Sequence, residues 1–175
     1  MIRDAFREAL RAQAGRIAWV LWAAMTVSPL LFVGVVWFVV VQNGGGGEGL
    51  PEIAETAIMV VATSTLVLSV LLRKYGERPS LLVGASATMV PPGMPAPENE
   101  AERRLLGAAL RYRVLFLVSL ALSEAGAVFG FVLSFMSSDI SFVLVFGWAS
   151  VLVNLAFLRP SGGIYKQLEK AIIRG

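Results

Sequence analysis

Residues 114–136 read VLFLVSLALSEAGAVFGFVLSFM. The run is apolar apart from three serines and one carboxylate, Glu124. As a helix rising 1.5 Å per residue it is about 35 Å long, enough to cross the hydrocarbon core of a bilayer, which is about 30 Å thick. Glu124 then falls near the midplane. An ionised carboxylate at that depth costs at least about 2.5 kcal/mol. The nearest basic residue in sequence is Arg113, which a helix places about 16 Å away along its axis. The neutral acid is therefore the expected form, held by a hydrogen bond.

Faces follow from a turn of about 100° per residue. Leu117, Leu120, Val128 and Phe131 share the face of Glu124. Ser119, Ser123, Gly126, Ala127, Gly130 and Ser134 form a second stripe of small residues. Small residues let helix backbones approach closely, and the Gly126–Gly130 step repeats a known packing spacing. This stripe is read as helix-packing surface.

Three further apolar runs cover residues 17–41, 53–72 and 140–158. Every one of the 15 Lys and Arg residues lies in 1–16, 73–113 or 159–175. The intervening segments, 42–52 and 137–139, carry none. Basic residues stay on the cytoplasmic side of a membrane. The expectation is an all-α protein with four transmembrane helices in two hairpins, both termini cytoplasmic, in a bacterial inner (cytoplasmic) membrane. Residues 42–52 form the external loop and 73–113 a cytoplasmic loop with a helix extension into the third span.

The fourth span runs inward. Ser150 then lies near the depth of Glu124 and is the first candidate partner for its proton or ion site. Asn154 lies closer to the cytoplasm and is expected to tie helices together. In the first span Pro29 removes a backbone donor and should bend the helix. Residues 1–16 place Ile2, Phe6 and Leu10 on one face and read either as a cytoplasmic interfacial helix or, equally, as a helix extension of the first span. The tail 159–175, with Ile164, Leu168 and Ile172 on one side, reads as an interfacial helix.

Composition agrees: 57% of the residues are hydrophobic and only 15% charged, against about 25% charged in soluble domains. One membrane domain, residues 1–175, is expected. There is no Cys and no His, which removes disulfides, thiol and imidazole catalysis and the common zinc ligand sets. No second carboxylate or nucleophile is placed to work with Glu124. No catalytic residue, metal or cofactor is expected, and the chain does not read as an enzyme. The excess of basic residues is a topology signal, so nucleic acid is not an expected partner.

The segment from Ala121 to Phe135, Ala-Leu-Ser-Glu-Ala-Gly-Ala-Val-Phe-Gly-Phe-Val-Leu-Ser-Phe, resembles the carboxylate-bearing helix of the c-type proteolipid of rotary ATP synthases. The resemblance covers only this segment. It implies that Glu124 corresponds to the proton-binding carboxylate and that copies of the chain form a ring. As a whole, the chain resembles a small family of bacterial four-span membrane proteins. The expected function is a c-ring-like homo-oligomer that handles ions through Glu124. The alternatives are a structural or lipid-plugged ring that moves nothing, and an accessory or assembly subunit of a larger membrane complex. Expected partners are membrane lipids and further copies of the chain.

Overall fold

The computed structural model describes residues 2–42, 49–84, 87, 89–160 and 163–174, and their regular structure is all helical. Helix α1 spans Asp4–Val36 and continues as a π-helical stretch, Trp37–Gln42. It is followed by α2 (Glu52–Gly76), α3 (Pro79–Leu82), α4 (Glu100–Ser137), α5 (Ser141–Ala156) and α6 (Gly163–Arg174). Three helical segments are long and apolar enough to cross a membrane: Asp4–Val40, Glu52–Gly76 and Glu100–Ser137. The expected fourth span is an apolar helix of only 16 residues, about 24 Å long. The glycines at 44–47, in the expected external loop, lie outside the described residues.

The chain divides into two compact units. Unit 1 comprises 1–21, 72–117 and 160–175; unit 2 comprises 22–71 and 118–159. Three helices, α1, α2 and α4, contribute to both.

Unit 1 has its own hydrophobic core, built from Phe6 and Leu10 of α1, Leu82 of α3, Leu105, Leu106 and Tyr112 of α4, and Ile164 and Leu168 of α6. Of the two readings of residues 1–16, the structure takes the extension of the first span, and it packs the apolar face of the tail on protein. Residues 4–16 are the first turns of α1 without a break. The apolar faces of both terminal segments are buried in protein. An amphipathic helix gains by covering its apolar stripe, and a partner helix covers it as well as a lipid surface does.

Two polar clusters fasten this core. Helix α4 opens on Asn99, whose side-chain oxygen accepts the Glu102 N–H at 2.9 Å, satisfying a backbone donor that the helix start leaves free. The Glu102 carboxylate is buried and is gripped by Arg3. The Arg3 backbone N–H and Nε both donate to Oε1 at 3.0 Å, and Nη2 donates to Oε2 at 2.8 Å. Arg3 also reaches the Ala96 carbonyl at 2.7 Å and pairs with Glu98. Hydrogen bonding from Arg3 holds the Glu102 carboxyl down at about 2. In the second cluster, Arg73 is buried over the rings of Tyr112 and Phe116, 5.0 and 5.1 Å away, with Nη2 at 3.1 Å from Glu77. Tyr165 meets Tyr112 edge-on at 6.1 Å, and burial pushes its phenol up to about 12.

In unit 2 the hub is α4. Residues 138–140 return the chain into α5, with the Asp139 carboxylate accepting the Ser141 N–H at 2.9 Å. So short a connection makes α4 and α5 antiparallel. Helices α1 and α4 run in the same direction, since Ser28 meets Glu124 and, further along both, Phe32 meets Phe131 at 5.1 Å.

Candidate functional site

The site is built on α4 and the packing of its neighbours. All six small residues of the predicted stripe, Ser119, Ser123, Gly126, Ala127, Gly130 and Ser134, are buried. The two glycines serve different helices. A Cβ on Gly126 would lie 2.8 Å from Leu66 Cγ of α2. One on Gly130 would lie 2.6 Å from Phe146 Cβ and 2.9 Å from the Phe142 carbonyl, both of α5. Real atoms do not approach so closely, so hydrogen alone fits at both positions. The serines then stitch the hairpin: Ser134 Oγ accepts the Val143 N–H at 2.8 Å, and the Ser123 and Ser150 hydroxyls share a hydrogen bond at 3.0 Å.

The face of α4 carrying Glu124 meets α1. The Ser28 hydroxyl donates to Glu124 Oε1. The other oxygen, Oε2, is buried and has no hydrogen-bond partner among the described residues. The structure therefore corrects the pairing of Glu124 with Ser150. Ser150 faces the small-residue stripe, about 100° around α4 from the carboxylate, and its hydroxyl bonds to Ser123 instead. Sequence reasoning missed Ser28. A signal for it existed: Ser28 stands about as far into the run 17–41 as Glu124 does into 114–136, and the two helices run the same way.

Ser28 precedes Pro29, which lies inside the continuous helix α1. Pro29 has no N–H, so the carbonyl four residues earlier, that of Met25, loses its helical donor. Asn154 of α5 replaces it: Nδ2 donates to the Met25 carbonyl at 3.2 Å. The same residue accepts the Trp22 indole N–H on its backbone carbonyl at 2.9 Å. Asn154 is fully buried, and its Oδ1 has no hydrogen-bond partner among the described residues. Helix α5 passes α1 here at Gly147, where an added Cβ would meet Val33 and Pro29 at ordinary contact distances of 3.6–3.8 Å. Around Pro29, α1 thus meets α4 through the Ser28–Glu124 pair and α5 through the Met25–Asn154 pair.

No protein family, curated protein or solved structure matches the chain. What the site can do is argued from its own chemistry. Of these groups only the Glu124 carboxyl can exchange a proton at ordinary pH, and the Ser28 hydroxyl hydrogen-bonds to it. Among the described residues no three His, Cys, Asp or Glu side chains cluster as metal ligands.

Proposed function

We infer that this chain is a multi-pass membrane protein of the bacterial cytoplasmic membrane in which Glu124 takes up and releases a proton. One observation supports the reading: a carboxyl oxygen, Glu124 Oε2, is buried without a partner among the described residues, on the face of α4 that meets α1 beside Pro29. An ionised carboxylate oxygen buried without a donor is costly, and a proton on the carboxyl removes the charge that makes it so.

Four spans fit this reading, with α5 and the residues that follow it as the fourth and both termini cytoplasmic. Self-association remains part of it, but the bundle does not need a ring to bury the α4 stripe, which is already covered within the chain. The reading is non-enzymatic. A second reading, an accessory subunit of a larger membrane complex, draws on Met89 and Val90, which are exposed in the loop before α4.

Proton uptake by the protein in liposomes, with a pH-sensitive dye inside and Glu124→Gln as comparison, tests the first reading. Uptake should vanish in Glu124→Gln. Equal traces for the two proteins would remove Glu124 from the proposal.

A further inference from the structure

Within unit 1 a cavity of about 480 Å³ is lined by Ala9, Ala12, Gln13, Arg16 and Ile17 of α1 and by Gly93, a size typical of small-ligand sites. The wall carrying Gly93 is a tight turn. The Met94 N–H bonds to the Pro91 carbonyl at 3.2 Å, with Pro92 and Gly93 between them and Gly93 at φ +81°. A type II turn has this form, and its third position needs a positive φ that glycine adopts freely. Gln13 fixes the turn to α1 by donating to the Pro92 carbonyl at 3.0 Å.

Three features describe the lining. Arg16 is exposed and forms no ion pair among the described residues, and no acidic residue lines the cavity. Gln13 Oε1 is buried and has no hydrogen-bond partner among the described residues. Ala9, Ala12 and Ile17 supply methyl surface, and Ile17 opens the apolar run of the first span. A ligand suited to the cavity carries an anion for the guanidinium and an apolar part; Gln13 Oε1, with no accessible surface, receives no ligand atom. Charge agrees: fourteen of the 15 basic residues but only seven of the 12 acidic ones fall in this unit.

We propose that this cavity holds the headgroup of an anionic phospholipid, with the phosphate on Arg16 and the apolar part along Ala9, Ala12 and Ile17. The proposal rests on the membrane reading above only for the source of the lipid. At the cytoplasmic end of the first span the cavity lies at headgroup level, where each basic side chain adds to attraction for anionic lipid.

Native mass spectrometry of the full chain in mild detergent tests it, titrating phosphatidylglycerol and phosphatidylcholine of the same acyl chains. The wild type should retain one phosphatidylglycerol in preference to phosphatidylcholine. Arg16→Ala should lower that affinity about tenfold, the scale of one lost charge-assisted contact. Ala12→Phe, which fills the cavity and keeps the arginine, should lower it as well. Lys166→Ala removes an exposed cation of the same unit outside the cavity and should change nothing. Equal affinity for the two lipids, or equal loss in Lys166→Ala and Arg16→Ala, would overturn the site in favour of diffuse charge attraction. Full displacement by equimolar glycerol 3-phosphate would overturn the lipid as occupant. Alkaline carbonate extraction of native membranes tests the membrane reading separately. If the chain is extracted yet still selects phosphatidylglycerol through Arg16, that reading fails and the headgroup site stands.

Discussion

The side-chain amide of Asn154 donates to the Met25 carbonyl at 3.2 Å, and Pro29 has deprived that same carbonyl of its helical donor. Asn154 and Met25 lie 129 positions apart, yet Asn154 and Pro29 make sense only together. Without Asn154 the proline would leave a backbone acceptor stranded. Without Pro29 the amide would have no free carbonyl to meet.

A double-mutant cycle follows. Asn154→Leu should destabilise the protein in detergent by about 1–2 kcal/mol, the range for a hydrogen bond between helices of a membrane bundle. Pro29→Ala restores an N–H to α1, so Asn154→Leu should cost much less in that background. Denaturation of the four proteins in mixed detergent measures the coupling. Additive losses would show that the amide does not act on the carbonyl that the proline frees.

The glycines of α4 should differ in their tolerance. A methyl on Gly126 meets the Leu66 side chain at 2.8 Å and the Ala62 carbonyl only at 3.3 Å, whereas on Gly130 it meets Phe146 Cβ at 2.6 Å and the Phe142 carbonyl at 2.9 Å. A leucine can change rotamer; a backbone carbonyl moves only with its helix. Gly130→Ala should therefore cost about 1–3 kcal/mol, and Gly126→Ala clearly less. Thermal unfolding of both variants in the same detergent checks the order.

Acid should loosen unit 1 before alkali does. The Glu102 carboxyl titrates at about 2 in the folded protein, against an ordinary value of 4.5, chiefly because of Arg3. A lowered value means that the contribution is complete above about 4.5 and is lost as pH falls towards 2. Amide exchange over the first turns of α1, corrected for its intrinsic pH dependence, should rise in that window. Arg3→Met should raise exchange already at neutral pH, because it leaves a buried carboxylate unpaired. Flat protection down to pH 2 in the wild type would mean that the Arg3–Glu102 contacts do not hold α1 in place.

How far the sequence could be read depends on what each signal reports. The apolar run around Glu124 and the small-residue stripe are periodic, and a period of 3.6 marks a buried face wherever the partner stands. Membrane-length helices and close packing at Gly126 and Gly130 were legible for that reason. The partner itself leaves no mark on the period. Phe6 and Leu168 read as membrane-facing because an amphipathic stripe looks the same against lipid and against a protein core. That core is assembled from three separated segments, each too short to declare a unit alone. Ser28 and Ser150 are both hydroxyls at similar depth. Depth comes from counting residues, but the choice between them depends on which helix faces the carboxylate, and that is a tertiary fact.

The last prediction separates these two hydroxyls. A protonated carboxyl shows a carbonyl stretch whose frequency rises when a hydrogen bond to its oxygen is lost. Ser28 donates to Glu124 Oε1, so Ser28→Ala should move that band upward in the infrared spectrum. Ser150 bonds to Ser123, so Ser150→Ala should leave the band where it is. Glu124→Gln should abolish the band while keeping an oxygen for Ser28, and should preserve the fold. Glu124→Asp withdraws the carboxyl by one methylene, so it should keep a carboxyl band but at the frequency of an acid free of the Ser28 hydrogen bond. Slow labelling by dicyclohexylcarbodiimide, which needs a protonated acid in an apolar setting, should follow the same order: present in the wild type and in Ser150→Ala, absent in Glu124→Gln. A band that moves with Ser150 and ignores Ser28 would place the carboxyl on the other face of α4. No carboxyl band at any pH from 5 to 9 would mean that Glu124 stays ionised, and the proton-binding reading would fall with it.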